Sequence, residues 1–259
     1  MIDPGFAAAG AFTGFVVGVT GVGGGALMTP ILLLIFGVAP ATAIATDLWF
    51  AAITKVVAAR VHQQGGQVDW VVVRRLWWGS LPVAILIVTL VALGSSVQKL
   101  PWLTQAIGLV VVLTGVGLLA APRLLQAARE RRIGNPSAFK AKQPALTVIA
   151  GAVLGLCVAL TSVGAGAIGS VVLLYLYPLR MTPHRLVATD LVHAIPLAVV
   201  AGTGYLLAGL VDGGMLVSML AGSLPAVALG SLLARRLSSR WLQLALGLVL
   251  IAAGAKTLS

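Results

Sequence analysis

Acidic residues are scarce in this chain. Six Asp and Glu stand against seventeen Lys and Arg in 259 residues, and charged residues of either sign make up only 9%. A soluble domain carries about a quarter charged residues, so an ordinary water-soluble fold is excluded. The single Cys157 excludes an internal disulfide and any multi-cysteine metal site. No G-x-x-x-x-G-K-[ST] phosphate loop is present, so ATP is not the direct energy source. The absence of H-E-x-x-H and G-x-S-x-G removes the usual zinc and serine hydrolase signatures. A Ser162–His193 protease pair has nothing around it in support. No enzyme activity, cofactor or metal is expected.

What the chain has instead is apolar length. Hydrophobic residues make up 59%, the mean hydropathy is +1.07, and several runs reach the ~20 residues that cross a bilayer as helix. The expected partner is therefore the lipid bilayer. The net charge of +11 does not indicate nucleic acid, because most Lys and Arg fall in loops, where the positive-inside rule places them. Met1-Ile2-Asp3-Pro4 lacks the basic start of a signal peptide, so the N-terminus is expected to stay on the protein.

The sequence also says nearly the same thing twice. Ala45-Thr46-Asp47-Leu48 recurs 143 residues later as Ala188-Thr189-Asp190-Leu191, Val68-Asp69 as Val211-Asp212, and Gly79-Ser80-Leu81-Pro82 as Gly222-Ser223-Leu224-Pro225. With an offset of 141, Thr20-Gly21-Val22-Gly23-Gly24-Gly25 aligns with Thr161-Ser162-Val163-Gly164-Ala165-Gly166. Four of the six acidic residues belong to these repeated pairs. Duplication with Gly-interrupted segments in so apolar a chain points to a secondary transporter.

The fold expected is an all-α polytopic membrane protein built from two inverted repeats of about five hydrophobic segments each. The segments run 5–20, 22–36, 41–61, 70–94 and 101–121, then 145–161, 164–178, 184–207, 213–235 and 240–258. Residues 1–121 form the first repeat, 122–144 a basic cytoplasmic linker, and 145–259 the second repeat. With the N-terminus outside, Arg60, Arg74, Arg75, the linker, Arg180, Arg185, Arg235, Arg236 and Arg240 all fall inside. Both termini are then outside and the second repeat is inverted. Segment 22–36 would span only about 22 Å against a core of about 30 Å. The first two segments of each half are therefore expected to be short or bent around a Gly-rich tip.

The tips are the first site candidates. Thr20, Gly21, Gly23, Gly24 and Gly25, with Thr161, Ser162, Gly164 and Gly166, interrupt a helix and free backbone N–H groups for an anion. Gly10, Gly14 and Gly18, and Gly151 with Gly155, read as packing ridges instead. Asp47 and Asp190 lie about 10 Å inside their segments, where a carboxylate is expensive. Each either couples transport to protons or stabilises a tip by accepting its exposed amides. Lys55 and His193, unduplicated, are candidate substrate contacts, with snorkelling to the interface the rival reading for Lys55. Asp69 and Asp212 read as caps at loop turns, and the Gly-Ser-Leu-Pro pair as helix shape.

The run Gly21-Val22-Gly23-Gly24-Gly25 followed by Pro30, then Pro40 through Ala45-Thr46-Asp47-Leu48 and Gly65 through Val68-Asp69-Trp70, resembles the sulfite exporter TauE/SafE family. This is also the 4-toluene sulfonate uptake permease family, and the likeness covers essentially the whole chain. It implies a prokaryotic plasma-membrane carrier of sulfite, sulfonates or thiosulfate. Many relatives carry Ala-Thr-Ser where this chain has Asp47, and the second tip departs from the first at Ser162 and Ala165. The function expected is secondary transport of a small sulfur-containing anion by alternating access around a midplane site, with protons as a candidate coupling ion. A passive anion channel and a non-transporting scaffold are the alternatives.

Overall fold

The computed structural model describes residues 2–20, 25–62, 68–93, 102–134, 136–164, 166–233 and 239–258. Among these residues the chain is helical throughout. The elements are α1 (Pro4–Thr20), α2 (Gly25–Leu34), α3 (Pro40–His62), α4 (Trp70–Ala92), α5 (Trp102–Gly134), α6 (Pro136–Thr161), α7 (Ala167–Leu176), α8 (Pro183–Leu207), α9 (Gly213–Leu233) and α10 (Ser239–Leu258).

Local chemistry sets many of these ends. Asp69 caps α4 by accepting from the Val72 N–H (3.4 Å), and Thr182 caps α8 by accepting from the Arg185 N–H (3.3 Å), with a proline at the first helical position. Asp212 does the same for α9, accepting from the Met215 N–H at 2.9 Å. Both repeated Val-Asp pairs are thus helix caps. At the end of α8, Gly209 (φ 71°) allows paired bonds from Leu210 N–H to Tyr205 O and from Gly209 N–H to Leu206 O, a Schellman turn.

Six spans are long and apolar enough to cross a membrane: Pro40–Ala59, Trp70–Ala92, Thr104–Leu124, Lys140–Thr161, Arg185–Leu207 and Gly213–Leu233. Their burial sorts them into layers. The spans in α3 and α8 are 72% and 56% buried, against 33–39% for those in α4, α5, α6 and α9. The two helices that carry the repeated Ala-Thr-Asp-Leu are therefore the inner pair, and the others present Leu, Val and Ile outward. This is a polytopic membrane protein.

The strongest pairings cross between the halves. Helix α1 packs on α9 as α6 packs on α4, α4 meets α8 as α9 meets α3, and α3–α8 and α5–α10 join corresponding helices. The repeats interlock rather than sit side by side. Segments 22–36 and 164–178 are realised as ten-residue helices, α2 and α7. Each is about 15 Å long, half the hydrocarbon core, as the short segments expected from sequence. Residues 122–144 are largely helical: α5 runs on through Pro122 to Gly134, and α6 opens at Pro136.

Glycine decides how closely these pairs approach. On α1, Gly10, Gly14 and Gly18 face the backbone of α9 at Met219, Ser223 and Val227. On α6, Gly151 and Gly155 face Leu76 and Ser80 of α4. The duplicated Gly79 and Gly222 answer from the other side, against Val148 O and Ala7 O. A Cβ at either would collide with a carbonyl oxygen. Gly79→Leu and Gly222→Leu are each expected to cost roughly 1–3 kcal/mol or more by overpacking. In a detergent melting series both should fall well below wild type, while Gly213→Leu, whose Cβ meets open space, should match it.

Candidate functional site

The inner pair α3 and α8 carries a charged cluster in the middle of an apolar bundle. Asp47 and Lys55 come from α3, Asp190 and His193 from α8, and none is more than 2% exposed. An isolated charge in such a place is costly enough that groups must be paired. The Lys55 ammonium interacts electrostatically with both Asp190 and Asp47, one carboxylate from each half, and with His193. Lys55 is therefore held inside the bundle, not snorkelled to the interface.

Hydroxyls complete the surroundings. Thr29 of α2 donates its Oγ1–H to Asp47 Oδ2. Ser162, on the tip after α6, has a positive φ of 57° and lies against Asp47 from the other half. Neither Ser162 Oγ nor Asp47 Oδ1 reaches a full hydrogen bond. His193 Nε2 shares a 3.0 Å hydrogen bond with Ser80 Oγ of α4, leaving Nδ1 buried without a partner. Trp77 donates its indole N–H to His193 O at 3.2 Å, and also lines an open cleft of about 300 Å³ with Arg74, Trp78, Leu81 and Pro82.

Asp190, on α8, faces the start of α7. A Cβ on Gly169 would lie 2.5 Å from its Oδ1, and the Gly166 N–H faces the carboxylate. Neither oxygen makes a full hydrogen bond. Gly164 (φ 125°) and Gly166 (φ 122°) take backbone conformations that side chains rarely adopt. Thr161 Oγ1 accepts from the Val163 N–H (3.1 Å), and the Ser162 N–H donates to Val158 O (2.8 Å). Several amides of this tip are therefore already used inside the protein. In the first tip, Thr20 ends α1 and Gly25 opens α2, while Gly21, Gly23 and Gly24 lie outside the described residues.

The structure thus brings Asp47, Lys55, Asp190, His193 and Ser162 together. Sequence reasoning missed Thr29 and Ser80, although both recur as hydroxyls in the other half, at Ser170 and Ser223. It also missed the threonines of the repeated motif. Thr189 Oγ1 accepts from the Asp69 N–H and Thr46 Oγ1 from the Asp212 N–H, both at 3.1 Å. Each Ala-Thr-Asp unit therefore holds the Val-Asp cap of the opposite half through its Thr and faces a half-helix through its Asp. Among the described residues no group of three His, Cys, Asp or Glu forms a metal-binding arrangement.

A second ionic cluster lies at the start of α4. The buried Asp69 carboxylate takes a two-point contact from Arg180, with Nε at 2.6 Å from Oδ2 and Nη2 at 3.0 Å from Oδ1. Arg185 Nη2 adds a third contact, 3.0 Å from Oδ2. Both arginines belong to the α7–α8 connection or the first turn of α8. Nearby, Arg75 Nη1 donates to the Tyr177 hydroxyl at 3.3 Å.

Membrane-length helices packed around a buried charged centre define a multi-pass membrane protein, and the comparisons make it a membrane transporter. The family model described as "Sulfite exporter TauE/SafE" matches residues 6–257, and the chain belongs to that family. It is similar to "Probable membrane transporter protein YjnA" of Bacillus subtilis (strain 168), 33% identical over 249 residues, covering 95% of this chain and 96% of the relative. It is also similar to "Probable membrane transporter protein YunE" of the same organism, 33% identical over 70 residues and 26% of each chain. No solved structure matches.

Removing Lys55 leaves two buried carboxylates without their cation. Lys55→Met is expected to cost ~3–5 kcal/mol, and adding Asp190→Asn should recover part of the loss. Melting temperatures of the purified single and double variants check this; equal melting of Lys55→Met and wild type would contradict it.

Proposed function

We propose that the protein is a secondary transporter of a small sulfur-containing anion, sulfite or an organosulfonate, working by alternating access around the Lys55 cluster. The observation that carries this reading is the burial of Lys55 between Asp47 of one half and Asp190 of the other. Substrate anion and carboxylates compete for the same cation. A proton that neutralises one aspartate frees Lys55 for the anion, and release of the anion returns the ammonium to the carboxylate. Proton and anion then move together, in the direction the gradients set.

The N-terminus of α7 adds partial positive charge, with Ser162 and His193 Nδ1 supplying unpartnered polar atoms. Thr161, Gly164 and Gly166 shape that tip. Thr20, Gly21, Gly23, Gly24 and Gly25 play the matching part in the first half. Residues 1–121 and 145–259 are the two inverted repeats, joined through the basic stretch 122–144. The protein sits in a prokaryotic plasma membrane with basic loops inside and both termini outside. The paired contacts of Thr46 with Asp212 and of Thr189 with Asp69 support the repeat relation. Sulfur chemistry rests on the family's name and on the resemblance of the first tip. The burial of every charged group in the cluster favours an occluded carrier site over an open channel.

Sulfite flux into proteoliposomes under an imposed pH gradient tests the reading. Wild type should accumulate sulfite with the gradient, and Asp47→Asn or Asp190→Asn should lose the pH dependence. Wild-type vesicles no more permeable to sulfite than empty ones would discard sulfite; single-channel currents would replace the carrier with a channel.

A further inference from the structure

Asp69 lies outside the central cluster, and its arginines are more than a helix cap needs. Its side chain is 1% exposed, while those of Arg180 and Arg185 are 46% and 34% exposed. A buried carboxylate thus grips two guanidinium groups from beneath. Each guanidinium carries five N–H donors in a fixed fork. Arg180 spends Nε and part of Nη2 on Asp69, and Arg185 spends Nη2, with its Nε buried and unpartnered. With Arg75 beside Tyr177, this corner holds three guanidinium groups to one carboxylate.

The repeat supplies an internal comparison. Asp212 makes the same cap and the same threonine contact as Asp69, yet among the described residues it has no ion pair. The arginines are an addition to one face only. Thr189, which holds the Asp69 amide, directly precedes Asp190, so this corner is one residue along α8 from the central cluster.

We propose that Arg180 and Arg185 form a docking site for a small oxyanion at the Asp69 face, with Asp69 as the residue that positions them. The site rests on the anion-transport reading for its ligand class, but not for its test. Planar forks with spare, partly exposed donors are what bind oxyanions by two-point contacts. The surplus positive charge raises the local anion concentration at that mouth. Among the described residues the Asp212 face has no such pair, so the carrier gathers its anion at the Asp69 face.

Equilibrium binding of ³⁵S-labelled sulfite to the detergent-solubilised full-length protein tests this without requiring transport. Arg180→Gln/Arg185→Gln should weaken it by about tenfold or more, while Arg123→Gln/Lys142→Gln, which removes two exposed positive charges elsewhere, should retain binding. Added NaCl should weaken the retained binding, since the site is partly exposed. The double arginine variant leaves Asp69 buried without a countercharge, so Asp69→Asn/Arg180→Gln/Arg185→Gln serves where it does not fold. Asparagine keeps an oxygen for the α4 cap, and this variant should show the same loss. Unchanged sulfite affinity in the folded arginine variants, or an equal loss in Arg123→Gln/Lys142→Gln, would overturn the proposal. Wild-type binding that needs the arginines, without flux in vesicles, would uphold the docking site and discard sulfite as the transported anion.

Discussion

One constraint organises this protein: an ammonium and two carboxylates have been taken out of water into a bundle of leucine, valine and alanine. Lys55, Asp47 and Asp190 are each almost wholly buried, and no such group is tolerable there alone. The two helices that carry them, α3 and α8, must therefore lie against each other at the centre. The half-helices α2 and α7 follow, because the remaining carboxylate valences face Thr29 on α2 and the start of α7. The lipid-facing helices then cover this core. Because the charged groups come from both halves, each half lies in the electrostatic field of the other at this centre.

Glycine makes the arrangement compact enough to hold. Along α1 and α6 it lets backbones approach within reach of carbonyl oxygens on α9 and α4, the packing that substitutes for a hydrophobic driving force within lipid. Because α1 rests on α9 and α6 on α4, each half is anchored on the other. The threonines of the repeated motif reinforce this, since Thr46 and Thr189 hold the caps of α9 and α4 across the repeat. The two halves are thereby joined through packed helices as well as through the chain between them.

Much of this was legible in the sequence, and what was not has a physical reason. Duplication singled out Asp47 with Asp190 and Asp69 with Asp212, because an acid in so apolar a chain stands out. Lys55 and His193 stood out for the same reason, and the glycine spacings on α1 and α6 named the packing ridges. Thr29 did not stand out, and Ser80 read only as part of a helix-shaping repeat: a hydroxyl in an apolar run can bond its own helix backbone, as Thr54 does with Phe50 O. Only the fold shows that these two face a carboxylate and an imidazole instead. The ionic cluster at Asp69 was invisible too, since its arginines lie 111 and 116 residues further along the chain. As ordinary basic residues near a membrane interface, they read from sequence only as topology signals.

Where the anion sits decides whether the buried cluster is a transport site. The most direct measurement is a structure of the lipid-reconstituted protein with selenite, a heavier analogue of sulfite, located by its anomalous or scattering signal. Density beside Lys55 and His193, between the ends of the two half-helices and with one carboxylate moved away from the ammonium, is the result expected. Selenite found at Arg180 and Arg185 or elsewhere but not beside Lys55, with the buried cluster unchanged, would make that cluster a structural clasp and place the transport path outside it.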